Sequence, residues 1–386
     1  IRDREREDMK RAIALCGGGT KGAYELGVWQ ALRELDIDYQ IVTGTSIGSI
    51  NGAMMVCGDY NNAKKLWESI EMEQIMEDGI NLSNTMEGMY NQRDALRPFL
   101  KKYVKNHGAD VSPFASFIAE LIDEEKVRNS DVDFGLVTVQ VSPLKPLELC
   151  LKDIPRGMLQ EYIMCSSAIF PLFPMHRIGN KTYVDGCYYD NLPIELALKM
   201  GADEVIAVDL NVNPSHPEFL NKSFVTYIYP GRSLGTMMNF EREVLDANIL
   251  AGYQDAMKAF GKMAGFVYSF EKDSLKKYRK KIQRYFTHIL RADAGQGSSG
   301  MFGRTSRVLR LCESLEEDTR GKMLTKEDYF VRGAELCGCG YGISPDRTYT
   351  MEEFLGILRD RREKEQEKGE ALMLVPAAEL FLRICL

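Results

Sequence analysis

Histidine is scarce in this chain: its 386 residues include only four, His107, His176, His216 and His288. None falls in an obvious loop after a strand. His176 follows Phe173-Pro174-Met175, and His216 sits in Asn213-Pro214-Ser215-His216-Pro217, so both read as turn residues. Chemistry that depends on clustered imidazoles has little to draw on here. Long apolar runs are also missing. No segment approaches the roughly 20 apolar residues that span a bilayer, so no transmembrane helix is expected. The opening stretch, Ile1 to Arg11, mixes Arg, Glu and Asp and leads into only a short strand, unlike a signal peptide. There is no basic excess either; the net charge of -7 gives no reason to expect a nucleic-acid partner. The nine cysteines are odd in number and scattered from Cys16 to Cys385, which reads as reduced thiols in a cytoplasm. Cys337-Gly338-Cys339 has no second pair or nearby histidine to complete a zinc site and reads as a glycine-rich turn. No metal or organic cofactor is expected.

What is present is VTGTSIGSING, Val42 to Gly52, which sets Ser46 in a GxSxG frame just after the apolar pair Ile41-Val42. A serine on a sharp strand-to-helix turn is exposed for nucleophilic attack, and Gly44 and Gly48 omit the side chains that would clash where strand and helix approach. The alternative is a small-residue turn that caps a helix with serine. A second glycine cluster, Gly17 to Gly22 (GGGTKG), follows the apolar strand Ala12 to Cys16 and opens a helix over Ala23 to Leu35. Its backbone N–H groups and the helix N-terminus suit an oxygen that becomes negative in an acyl-transfer intermediate. Lys21 adds a charge there or is simply solvated. Gly17, Gly19 and Gly22 also satisfy GxGxxG, with Asp36 or Asp38 near the offset of a ribose-binding acid. A dinucleotide site, however, would need its acid at the end of the second strand, where this chain has Gly44-Thr45-Ser46. No GxxxxGK[ST] phosphate loop is present.

Ser46 needs a base. With so few histidines, Asp185, in Thr182-Tyr183-Val184-Asp185-Gly186-Cys187, is the preferred candidate because it ends a strand and precedes a glycine. An ordinary carboxylate is a weak base at neutral pH, so such a pair needs a site that raises its basicity or aligns it closely with the hydroxyl. Asp190 and Asp209 are rival acids, a Ser-His-Asp triad stays open, and Asp185 alternatively caps its own Asp-Gly turn.

Taken together, these motifs resemble the patatin-like phospholipases, lipid acyl hydrolases with a serine and aspartate dyad. The glycine-rich loop, the GxSxG, the segment Cys165 to Pro174 and Asp185-Gly186 with Asn191 and Pro193 occur in the family's order. The resemblance implies a three-layer α/β/α fold with Ser46 as nucleophile and Asp185 as base. It also implies an oxyanion hole from the loop of Gly17, Gly18, Gly19, Lys21 and Gly22. Cys187 departs from the glycine or alanine usual at that position and narrows the pocket.

Strands are expected at Ala12 to Cys16, Gln40 to Thr43, Phe134 to Val141, Leu147 to Leu151, Lys181 to Val184, Glu204 to Val208 and Val225 to Tyr229. Their alternation with helical patterns predicts an α/β fold with helices on both faces of the sheet. The Phe134 to Leu151 hairpin makes that sheet mixed. Met72 to Met89 and Val111 to Glu125 are candidates to cover the site. The resemblance covers residues 10–270, leaving 271–386 as a mainly helical C-terminal extension, with a flexible glycine-serine stretch at Gly295 to Gly300. Lys272 to Arg291 reads as a basic amphipathic helix, either packed on the protein or lying peripherally on an anionic membrane.

The expected activity is ester hydrolysis of phospholipids or related lipids through an acyl-enzyme on Ser46. The alternatives are a soluble esterase or thioesterase for short acyl groups, and a non-catalytic lipid-binding scaffold on the same fold.

Overall fold

A computed structural model of the chain describes residues 9–75, 110–294, 311, 314–317, 319, 323–368 and 372–386. Much of the expected cover at Met72 to Met89, together with His107 and the stretch Gly295 to Gly300, lies outside them. The chain divides into two compact units, Ile1–Ala259 and Phe260–Leu386.

In the first unit, β1 (Arg11–Leu15), β2 (Ile41–Thr45), β7 (Glu204–Val208) and β8 (Val225–Ile228) run parallel, as does β3 (Asp133–Gln140) beside β2. β4 (Lys145–Cys150) returns antiparallel along β3, which makes the sheet mixed as the hairpin pattern predicts. β5 (His176–Ile178) and β6 (Lys181–Asp185) form a second antiparallel pair, with β6 joined to the last residues of β3. His176 therefore sits in a strand and not in a turn, its Nε2 2.7 Å from Glu161 Oε2. Central strands with both faces covered are apolar throughout; in β1, Ala12, Ile13, Ala14 and Leu15 are all buried.

Helices cover both faces. Adjacent strand residues point to opposite sides, and Val42 meets Gly52 of α2 (Ile47–Val56), whereas the Thr43 hydroxyl donates to Pro193 O at 2.9 Å, beside α7 (Ile194–Lys199). On α1 (Ala23–Glu34), Gly27 lets the backbone of α8 (Arg242–Ala259) come very near; a Cβ there would lie 1.8 Å from Ile249 O. Between α2 and β3 lie α3 (Tyr60–Ser69), α4 (Ser112–Leu121) and α5 (Glu124–Arg128); α6 (Leu159–Ser166) connects β4 to β5. The result is an α/β/α sandwich.

One detail of register positions the site. Val137 pairs with Glu148 of β4 on one side and Thr45 of β2 on the other; the next residue, Thr138, pairs with Leu147 of β4 and Asp185 of β6. Since β4 occupies one edge of β3 throughout, β2 and β6 share the other edge. They approach each other head-on, and Thr45 and Asp185 are their last residues.

The second unit is mainly helical: α9 (Arg279–Ala294), α10 (Lys326–Gly340), α11 (Met351–Lys368) and α12 (Pro376–Cys385), with a small sheet of β9 (Met263–Ala264), β10 (Ser269–Glu271) and β11 (Thr348–Tyr349). Cys337-Gly338-Cys339 lies in the last turns of α10 and not in a loop, and the Cys337 thiol donates to Ala378 O. The expected basic helix begins as a 3-10 segment, Lys272–Tyr278, before α9. Its apolar stripe of Leu275, Ile282, Tyr285 and Ile289 is buried in this unit's core with Phe330, Phe354 and Phe381. Glu335 Oε1 there accepts the N–H groups of Phe266, Val267 and Tyr268 at 2.7, 3.0 and 3.0 Å, while Oε2 pairs with the buried Arg332 at 2.8 Å.

Among the described residues, no helix is long and apolar enough to cross a membrane.

Candidate active site

Ser46 occupies the one-residue bend between β2 and α2, with φ 54° and ψ -124°. A non-glycine residue held there is strained by roughly 1–3 kcal/mol, so the surroundings must enforce it. They do so with glycine on both flanks. A Cβ on Gly44 would lie 2.1 Å from Gly48 O, and one on Gly48 would lie 2.5 Å from Leu15 O. The Ser46 N–H donates to Ser166 Oγ at 2.9 Å, and Ser46 O accepts the N–H of Ser49 at 2.8 Å.

Asp185 ends β6 facing this bend. It lines the same cavity as Ser46, and its Oδ1 accepts the Cys187 N–H at 2.8 Å. It is 1% exposed. Burial pushes its carboxyl up to about 6, partly offset by the Cys187 amide and the nearby Ser46 side chain. The weakness of an ordinary carboxylate as a base is thus reduced while the group stays mostly ionised at neutral pH.

The glycine loop closes the third side. Gly17, Gly18, Gly19 and Lys21 line the same cavity as Ser46 and Asp185, whereas Gly22 lies behind it, where a Cβ would meet Ile47 Cγ1 at 2.5 Å. Gly22 is thus small for packing. The loop's amides are not equivalent. Gly17 N–H donates to Asn191 O at 3.0 Å, Thr20 N–H to Met237 O at 2.9 Å and Lys21 N–H to Gly18 O at 3.3 Å. Gly18 and Gly19 are the members whose amides carry no such bond among the described residues. Gly19 has φ 59°, and a Cβ there would lie 2.2 Å from Met237 O. The cavity measures about 250 Å³ and is walled largely by apolar side chains, among them Ile50, Trp67, Ile70, Phe114, Phe173 and Met238. Phe114 comes from α4, within the Val111 to Glu125 stretch expected to cover the site.

Residues 13–198 match the family model for patatin-like phospholipases. This segment of the chain belongs to the patatin-like phospholipase family. The chain is 27% identical over 202 residues to lysophospholipase NTE1 of Mycosarcoma maydis, covering 52% of this chain and 10% of that protein. To patatin-like phospholipase domain-containing protein 7 of Rattus norvegicus it is 25% identical over 202 residues, covering 52% and 13%. The match thus spans little more than a tenth of either relative. VipD from Legionella pneumophila, a solved structure, aligns over 97% of this chain and 90% of its own with 14% identity and a TM-score of 0.43, a likeness too loose to argue from.

Within the first unit the rival acids have other partners. Asp209 is fully buried and accepts from Asn211 N, Ser215 N, Ser215 Oγ and Tyr227 OH at 3.0, 2.6, 3.1 and 2.8 Å. Asp190 faces His216, Nε2 to Oδ1 3.0 Å. His216 stands in the loop after β7, just before the 3-10 segment Pro217–Phe219, and it is doubly paired, since its Nδ1 also lies 3.0 Å from Glu218 Oε1. None of the three lines the cavity.

Two residues have roles that motif reading missed. Ser166 supports the Ser46 amide through a contact 120 residues distant in sequence. Asn191 Nδ2 donates to Gly17 O at 3.0 Å and to Cys16 Sγ at 3.2 Å, while its Oδ1, buried and without a hydrogen-bond partner, sits where a Cβ on Gly17 would reach it at 2.4 Å. The only signal for either was its place in the family-like segments.

Proposed function

We propose that the patatin-like domain is a serine acyl hydrolase acting on the ester bonds of phospholipids or related lipids. The observation that carries this reading is that Ser46 and a buried, basicity-raised Asp185 line one largely apolar cavity. Ser46 Oγ attacks the ester carbonyl as its proton passes to the Asp185 carboxylate. The tetrahedral oxygen draws on the amides of Gly18 and Gly19. Collapse breaks the bond to the alcohol, which takes the proton from Asp185, leaving an acyl-Ser46. Water attacks that ester, giving its proton to Asp185, and the fatty acid departs as Ser46 Oγ is reprotonated.

The apolar wall supports a fatty acyl substrate, as does the name lysophospholipase carried by fungal relatives. Cytoplasmic residence belongs to the same proposal, and the eight described cysteines, none of them in a disulfide, fit it. Peripheral membrane contact through Lys272 to Arg291 is part of it in a narrower form. With the apolar stripe buried, this segment offers a bilayer mainly its cations, chiefly the exposed Arg279, Lys280, Arg284 and Arg291, beside the exposed Leu290.

The test is labelling by a fluorophosphonate together with acyl release from mixed phospholipid vesicles, in wild type, Ser46→Ala and Asp185→Asn. Labelling that requires Ser46 and release that requires both residues is expected. Labelling of Ser46→Ala at the wild-type rate would overturn the assignment; preference for short soluble esters would favour the esterase alternative, and no turnover the scaffold.

A further inference from the structure

The turn that follows Asp185 is tied to everything around the cavity. Asp190 N–H donates to Gly186 O at 3.0 Å, and Asp190 O accepts the Thr45 hydroxyl at 2.8 Å, one residue before Ser46. The next residue, Asn191, exchanges backbone and side-chain bonds with Gly17 of the glycine loop. This short turn therefore touches the strand that delivers Ser46, the strand that delivers Asp185 and the loop opposite both.

Its own anchor comes from another part of the sheet. The loop after β7 is pinned at its base by Asp209, which accepts bonds from Asn211, Ser215 and Tyr227. The same Tyr227 hydroxyl accepts the backbone N–H of His216 at 3.1 Å. His216 is thus set rigidly, and its Nε2 meets Asp190 Oδ1, an oxygen that also accepts the Leu192 N–H at 3.1 Å. Asp190 is held from both sides, by its own turn and by an imidazole on a separate, buried mount.

We propose that His216 is a positioning residue for the Ser46–Asp185 pair, acting through Asp190 to lock the 186–191 turn between the two catalytic strands and the glycine loop. The inference rests on the acyl-hydrolase reading above. It concerns a residue that touches neither the cavity nor the reacting atoms. A pair that only stabilised the fold would leave the spacing of Ser46, Asp185 and the glycine loop untouched. This one sits where a shift of a few tenths of an ångström is passed to all three, and catalysis is steeply sensitive to such shifts.

Protonation adds a second signature. The hydrogen bond it donates to Asp190, with a further one to Glu218, raises the imidazole to about 9 despite its partial burial. The charged groups that face it among the described residues are Asp190 and Glu218, with Asp209 beyond the Tyr227 hydroxyl. In the folded protein the imidazole stays cationic until pH rises through about 9, whereas the stability the clamp contributes is full below about 6.5 and declines from there to about 9.

The experiment compares wild type, His216→Gln, Asp190→Asn and the double variant on a soluble p-nitrophenyl ester. A parallel NMR titration follows the histidines. Each single variant should lower kcat about tenfold with KM changed less than twofold, and the double variant should be no worse than either. The wild-type kcat should fall above about pH 9, a limb absent from His216→Gln, and Asp190→Asn should bring the His216 titration down towards its ordinary value. Wild-type kcat in both single variants, or fully additive losses, would overturn the clamp. If His216→Gln does not fold, the near-isosteric Asp190→Asn decides by the same criteria. Loss of the hydrolase reading itself looks different: wild-type turnover that survives Ser46→Ala removes the foundation, whatever the His216 variants do.

Discussion

The Ser46 amide and the Ser166 hydroxyl are joined by a 2.9 Å hydrogen bond, and the same hydroxyl donates onward to Val137 O at 2.7 Å. Ser166 therefore couples the strained bend to the middle of β3, the strand against which both β2 and β6 end. It orients the amide that a φ of 54° turns away from any regular partner.

Replacing Ser166 with alanine removes the acceptor of the Ser46 N–H and the donor to Val137 O. Stability should fall by about 1–3 kcal/mol in urea unfolding, and kcat by about tenfold, because the bend loses its support. A stable variant with undiminished kcat would show that the glycines alone hold the bend.

The carboxyl of Asp185 should govern the acidic limb of activity. Its raised value means that kcat/KM climbs with pH through about 6 and levels above it, and Asp185→Asn should lose about 10²–10⁴-fold. Stability runs the other way. The unfolded group ionises near 3.8 and the folded one near 6, so the folded state is progressively penalised as pH rises from about 4 to 6. By that difference Asp185→Asn should unfold at higher temperature than wild type at pH 8, by up to ~3 kcal/mol, and show little gain at pH 4. Equal melting at both values would contradict the assigned shift.

In the C-terminal unit, Glu335 carries three backbone N–H groups and the buried guanidinium of Arg332. Arg332→Leu strips the charge from its partner and should destabilise that unit by about 3–5 kcal/mol, read by calorimetry. An unchanged transition would mean that the amides alone satisfy the carboxylate.

The exposed basic face offers a test of membrane contact. Lys280→Glu with Arg284→Glu should reduce sedimentation with vesicles rich in anionic lipid, and raising salt from 50 to 300 mM should release the wild type as well. Binding that persists at high salt would point to apolar insertion elsewhere.

The sheet could be read in the sequence because strands such as Ala12–Leu15 and Glu204–Val208 are apolar runs whose burial on both faces leaves no alternative. The bend was legible for a related reason: at Gly44 and Gly48 the backbones approach so closely that only glycine fits, so the contact leaves a signature in composition. Ser166, Asn191 and His216 left none. Their partners lie 120, 174 and 26 residues away, and a serine, an asparagine or a histidine in a turn looks the same whether or not something distant binds it. β5, β9 and β11 have two or three residues each, too few for alternation to register. Cys337-Gly338-Cys339 misled because glycine signals a turn locally, whereas here the absent side chain makes room for Phe354 and Tyr268 against a helix.

The head-on meeting of β2 and β6 along one edge of β3 has a consequence for how this domain can vary. The interval between Ser46 and Asp185 is counted in ladder rungs of β3, at Val137 and Thr138, and not in the length of any connecting loop. Residues can be added to the 141–144 turn or between β5 and β6 without moving Ser46 or Asp185. A single deletion inside β6, by contrast, would turn the aspartate to the opposite face of the sheet. Evolution and engineering alike are free to redecorate the rim of this cavity, but they inherit its spacing as a fixed gauge.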